Sequence, residues 1–150
     1  MGKRGPKPKV YSPKNWSANL AYVVGLITSD GCLSKDGRHL EITSKDIDQI
    51  ETVQKILHLD HILIGSKKSG MAQGKWCYRI QWGDVGLHEW LCSIGLSPKK
   101  SKTLEVLKIP DEFFFDFLRG LWDGDGTIYS YWDPRWKSSF MFYIGFTSAS

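Results

Sequence analysis

The sequence predicts an α+β protein built from a repeated unit of helix followed by antiparallel hairpin. Helical apolar spacing and strand-like alternation take turns along the chain. The order helix, hairpin, helix, hairpin, helix fills residues 17–96. A second helix-and-strand segment then restarts near residue 110, and its Asp-Gly pair at Asp125 lies 95 residues beyond that at Asp30. A chain of 150 residues suits one compact domain with a sizeable core.

The first unit opens with "NWSANLAYVVGLITSDG", where Ser17 is the expected N-cap of a helix running to about Asp30 and Gly31 is the expected stop. In "CLSKDGRHLEIT" the polar centre Lys35-Asp36-Gly37 sits between short apolar flanks, a hairpin signal. Ser44 is the expected cap of the next helix, with Ile47, Ile50, Val53, Ile56 and Leu57 at helical spacing. "HILIGSKK" and "KWCYRIQWGD" read as two strands joined by a Gly-rich turn. In the second, Trp76, Tyr78, Ile80 and Trp82 alternate with Lys75, Cys77, Arg79 and Gln81. "VGLHEWLCSIGL" reads as a short helix ending at Gly95.

At the restart, Asp111 is the expected cap, with Pro110 just outside a helix that runs to about Gly124. Strands are expected at "TIYSYW" and "SSFMFYIGFTS", the latter alternating Phe140, Phe142, Ile144 and Phe146 with Met141, Tyr143, Gly145 and Thr147. The second copy stops before any counterpart of residues 44–96. The expected organisation is a basic arm over residues 1–14, a first half-domain over 15–109, and an incomplete second repeat over 110–150.

No run of about 18 apolar residues is present, so no membrane span is expected. The N-terminus shows no signal-peptide pattern, which predicts a cytoplasmic, nucleoid-associated, organellar or nuclear location rather than secretion. Cys32, Cys77 and Cys92 are widely spaced and suggest neither a disulfide framework nor a zinc site. Net charge is only +4, yet the first fourteen residues hold Lys3, Arg4, Lys7, Lys9 and Lys14 with no acid. That arm suits a polyanion or, equally, a solvated tail. A second basic run, "SPKKSK", follows the first unit.

Both repeat helices carry small residues four apart: Ala21, Gly25 and Ser29 in the first, Gly120 and Gly124 in the second. An interior glycine costs a helix about 1 kcal/mol relative to alanine, so a packing gain is expected to offset it. Small residues at this spacing let two backbones approach closely. The two helices are therefore expected to pack through these faces and to bring Asp30 and Asp125 together at their C-terminal ends. Two carboxylates at negative helix ends repel each other, and a bridging divalent cation relieves the repulsion. All-oxygen ligands favour Mg²⁺, with Mn²⁺ or Ca²⁺ able to take the same site, and basic surroundings suggest metal-assisted phosphodiester hydrolysis.

"VVGLITSDG" and "LRGLWDGDG" resemble two copies of the LAGLIDADG motif of homing endonucleases, matching at Gly25/Gly120, Leu26/Leu121, Asp30/Asp125 and Gly31/Gly126. The resemblance implies a half-domain with an antiparallel saddle sheet over the DNA major groove. It also implies motif helices at the central interface and a catalytic Mg²⁺ at Asp30 and Asp125, beside Gly31 and Gly126. It implies a basic residue near the metal, for which Lys100 is the best match and Lys99 and Lys102 are rivals. Cuts across the minor groove with short 3′ overhangs follow from the same resemblance. Ser44 and Ser148 fall where the family has polar residues that organise water. Thr28 departs from the acid often found at the sixth motif position, where Asp123 stands in the second copy, and Asp123 is expected to support the site from the helix end. The same fold occurs in intron maturases and in DNA-binding regulators that do not cut.

Strand alternation selects the expected DNA contacts. Leu40 and Ile42 should pack on helices, leaving His39, Glu41 and Thr43 on the groove side with Lys75, Arg79 and Gln81. Arg and Gln can pair with guanine and adenine edges respectively. Lys35, Arg38, Lys67 and Lys68 are expected at turns, touching phosphates, with Tyr143 and Thr147 as second-copy counterparts. The expected partners are double-stranded DNA and a second chain or further C-terminal half that completes the second repeat.

Overall fold

The structure, a computed structural model, describes residues 15–68, 74–98 and 106–147. In chain order its elements are α1 (Ala18–Ser29), β1 (Gly31–Leu33), β2 (His39–Ser44), α2 (Ile47–Ile56), β3 (Gly65–Lys68), β4 (Trp76–Gly83) and α3 (Val85–Ser93). A 3-10 turn (Asp111–Phe113) then leads into α4 (Phe114–Asp125), β5 (Gly126–Trp132) and β6 (Phe140–Phe146). The architecture is α+β, with a four-stranded antiparallel sheet in the order β1-β2-β4-β3 and a separate β5–β6 hairpin. Among the described residues no helix is long and apolar enough to cross a membrane.

Helix α1 is the axis of the molecule. Ser17 caps it, accepting from the Leu20 amide at 3.1 Å, and every residue from Leu20 to Thr28 is buried. A helix buried all round must be covered on several sides. Helix α4 covers one side, and the sheet contributes Leu33, Leu40, Ile42, Ile80 and Trp82 to the common core. Helices α2, through Ile50 and Val53, and α3, through Leu87 and Leu91, complete that core. Trp16 closes one end against Trp90 and Phe113.

Several local expectations change. Ser44 ends β2 instead of capping α2; its Oγ accepts from the Asp46 amide at 3.0 Å, and Asp46 is the cap, accepting from the Asp48 amide. Asp111 opens a 3-10 turn, so α4 starts three residues later with no side-chain cap. "HILIGSKK" becomes a strand only from Gly65, because residues 59–62 close a turn through Ile62 N–H to the Leu59 carbonyl. Gly31 starts β1 without a left-handed φ, so its role is steric: a β-carbon there would stand 2.6 Å from Ile27 Cα. Trp76 and Tyr78 lie on the helix-facing side of β4 by register, yet both are exposed, because the helix layer stops at Ile80 and Trp82.

Candidate functional site

The site is built by the α1–α4 contact. A β-carbon on Gly25 would lie 2.6 Å from Leu121 N and closer still to the Phe117 carbonyl. One on Gly120 would lie 2.9 Å from Tyr22 C and 3.1 Å from Leu26 N. Backbone therefore meets backbone at both positions, and no side chain fits. Toward the C-terminal ends, Gly124 rests on side chains of the other helix, not on its backbone. A β-carbon there would come within 2.6 Å of Ser29 Cβ and 3.2 Å of Asp30 Oδ2. The Asp30 carboxylate thus reaches the last turn of α4, beside the residue that precedes Asp125.

Asp30 is the C-cap of α1 and Asp125 the last residue of α4, and both are half-buried. Each is followed by a glycine that turns straight into a strand; at Gly126 a β-carbon would meet the Trp122 ring at 2.7 Å. Two carboxylates from neighbouring helix ends form an all-oxygen donor set, which fits a hard cation such as Mg²⁺. Among the described residues no group of three or more His, Cys, Asp or Glu side chains is gathered for a metal. Remaining ligands would therefore come from backbone, water or a phosphate, which is how Mg²⁺ is commonly held.

Asp123 and Thr28 hold matching motif positions and behave differently. Thr28 is buried and donates to the Val24 carbonyl at 2.7 Å, so it is spent inside its own helix. Asp123 is exposed and accepts from the Tyr22 hydroxyl at 2.9 Å across the interface. Burial first, and then the hydrogen bond to Asp123 and its charge, push the Tyr22 phenol up to about 12. The Arg119 guanidinium lies 4.5 Å from the centre of the same ring. Gln49 donates to the Asp123 carbonyl at 3.1 Å and ties α2 to this end of α4. Tyr22, Asp46, Asp48, Gln49, Thr52 and Asp123 line an open cleft of about 370 Å³. Sequence reasoning singled out only Asp123 of these. The available signal was the matching position of Tyr22, whose long polar-tipped side chain stands in a motif helix otherwise lined with apolar and small residues.

The opposite face of the sheet carries the predicted groove residues. By register Glu41 pairs with Gln81, Thr43 with Arg79, and Lys67 with Cys77, so Glu41, Thr43, Lys67, Arg79 and Gln81 share one face with His39. Lys67 lies within β3, not at a turn, and donates to Glu41 Oε1. Lys68 projects from the other face and sits 5.7 Å from the Trp76 ring centre. Lys75 precedes β4 and is exposed. Lys35 and Arg38 lie exposed at the β1–β2 turn, where Asp36 accepts from the Arg38 amide at 2.9 Å and meets His39 Nδ1 at 2.5 Å. The His39 amide donates to Asp36 as well, at 3.0 Å, and this bond first, then the His39 ring and the Arg38 amide, hold the Asp36 carboxyl well below the usual range.

Arg79 is not the free base-pairing fork that the sequence suggested, because its Nη2 donates to Glu41 Oε2 at 2.7 Å and to Gln81 Oε1 at 2.6 Å. Desolvation would raise the Glu41 carboxyl, but hydrogen bonds and charge from Lys67 and Arg79 outweigh it and leave the group below its ordinary value. Tyr143 and Thr147 are exposed, and Tyr143 stacks on Tyr129 at 4.8 Å between centroids. The arm of residues 1–14, Lys99, Lys100, Lys102 and Ser148 lie outside the described residues.

No family model and no curated protein matches the chain. Among solved structures it is similar to the homing endonuclease I-WcaI bound to its DNA recognition sequence, at 16% identity and TM-score 0.49, over 88% of this chain and 62% of that one. It is also similar to full-length DUF199/WhiA from Thermatoga maritima, at 15% identity and TM-score 0.48, over 79% of this chain and 37% of that one. The chain thus spans less than two thirds of the length of either structure. The likeness is one of fold, and at TM-scores below 0.5 it carries nothing further.

Proposed function

We propose that the chain is a LAGLIDADG-type DNA endonuclease that hydrolyses both strands of a long duplex target with Mg²⁺. One observation carries the reading: the two motif helices meet backbone to backbone at Gly25 and Gly120, and the Asp30 carboxylate lies against Gly124, next to Asp125. Structural helix stops have no need of this arrangement, which concentrates negative charge where two helix dipoles already end.

Asp30 and Asp125, with the adjoining Gly31 and Gly126 backbone, would hold the metal. When bound, a divalent ion lowers the pKa of an attacking water and neutralises charge on the phosphate. The chain's own residues do the rest. Tyr22 and Gln49 fix the Asp123 turn and with it the end of α4. The sheet face bearing His39, Thr43, Lys67, Arg79 and Gln81 lies across the duplex, and Lys35 and Arg38 at its rim meet phosphates. Lys100 is assigned to the charge developing on the phosphate.

A plasmid library incubated with Mg²⁺ tests this reading. Wild type is expected to linearise a subset of plasmids, while Asp30→Asn and Asp125→Asn each lower cleavage by about a hundredfold or more. Binding with no nicking of any target would assign the chain to the non-cleaving regulators of the same fold. Loss of cutting in only one of the two variants would rule out matched roles for the aspartates.

A further inference from the structure

We propose that Glu41 sets the sequence specificity of the sheet face, by restraining Arg79 and Lys67 until a base pair offers Glu41 an amino donor. This inference rests on the DNA-binding reading above and goes beyond it. Glu41 lies on β2, yet it spans the sheet: Oε1 accepts from Lys67 on β3 and Oε2 accepts from Arg79 on β4. A guanidinium has five N–H donors in a rigid fork, two of them on Nη2. Both Nη2 hydrogens of Arg79 are committed, one to Glu41 and one to Gln81. The Arg79 Nε is buried with no hydrogen-bond partner. Only Nη1 remains, and a bidentate contact to guanine needs two adjacent donors. The Gln81 amide is restricted as well, because its oxygen already accepts from Arg79.

A duplex therefore finds a closed circuit of hydrogen bonds, not free cations. A phosphate or base acceptor must compete with Glu41, whose charge form is favoured by its two cations. A carboxylate displaced onto the DNA surface is penalised unless it meets a donor. In the major groove the exocyclic amino groups of cytosine and adenine supply one. Base pairs that present such a group opposite Glu41 satisfy the circuit, and others leave an unpaired carboxylate against polyanionic DNA. Discrimination of this kind works by rejecting wrong partners.

The test uses the full chain without Mg²⁺ and a pool of randomised duplexes, from which the wild type enriches a preferred site. Affinity is then measured on the enriched and a scrambled duplex over a series of salt concentrations. Glu41→Gln is expected to bind scrambled duplex more tightly, with a log–log salt slope steeper by about one. Its preference for the enriched site should fall about tenfold. Arg79→Lys keeps the charge and loses the fork, so it should lose the same preference with the slope unchanged. It also serves if Glu41→Gln misfolds by circular dichroism. If folded Glu41→Gln keeps the wild-type preference, the Glu41 inference fails while the DNA reading stands, whatever Arg79→Lys does. If the wild type binds no duplex in the pool, both fail together.

Discussion

The two hairpins that follow the motif helices both start their antiparallel pairing at the motif glycine and differ in their surroundings. In the first, Gly31 pairs with Ile42 and Leu33 with Leu40; in the second, Gly126 pairs with Phe146 and Ile128 with Ile144. Leu33, Leu40 and Ile42 are at most 2% exposed, whereas Ile128 and Ile144 are each 65% exposed and Phe146 is 42% exposed. The residue types are alike, so intrinsic strand preference does not separate them. What separates them is the layer of α2 and α3, which covers the first sheet; among the described residues no such layer covers Ile128 and Ile144 in the second. Burial is thus a property of the neighbours and not of the strand. An isolated two-stranded hairpin is marginal in water, and this one leans on α4 and on the Trp122–Phe146 contact, 6.0 Å between centroids.

The outer faces differ as well. The first presents a charged circuit of Glu41, Lys67 and Arg79, while the second presents stacked tyrosines at positions 129, 131 and 143. If both faces lie on one duplex, they read it by different chemistry.

Mutations can break this comparison. The largest effect is expected where the repeats touch: Gly120→Val forces a side chain into the Tyr22 backbone and should cost about 3 kcal/mol or more in urea denaturation. Next comes the pair of hairpins themselves. Leu40→Ala should cost about 3 kcal/mol, and Ile144→Ala, at the equivalent place, less than about 0.5 kcal/mol. Equal losses would mean that the second hairpin is covered in solution. A smaller loss than at Leu40 belongs to the asymmetric bond between the repeats. Tyr22→Phe removes the hydrogen bond to Asp123 and should cost about 1 kcal/mol. Because the folded phenol titrates near 12 and an unfolded one near 10, its contribution is complete below pH ~10 and is lost as pH climbs through the folded value. Tyrosinate absorbance and denaturant midpoints followed over that window should show the loss in the wild type and not in Tyr22→Phe.

Much of this design was legible in the residues, for identifiable reasons. Glycine is expensive inside a helix, so matched glycines in two helices pointed to a close approach, and Gly25 and Gly120 lie at one. Alternation along β2 predicted its buried face because that strand is central and flanked on both sides. Legibility failed where two local solutions compete or where a partner is distant in sequence. Ser44 and Asp46 are both competent caps, and strand pairing holds Ser44 in β2. Lys67 and Lys68 are neighbours with one composition, and only the register with Cys77 and Trp76 sends them to opposite faces. The Tyr22–Asp123 bond joins residues 101 positions apart, so neither local segment names the other as its partner.

The glycine contacts also act as a gauge block. Where backbone touches backbone, the separation of two helices is set by peptide geometry, which varies little, and not by side-chain volume. Sliding α1 past α4 by a single residue, about 1.5 Å, would bring the side chains beside Gly25 and Gly120 into opposing main chain. The spacing between the Asp30 and Asp125 ends is thus insulated from drift elsewhere in the core. Substitutions at Leu26, Phe117 or Leu121 can loosen the fold while that spacing holds.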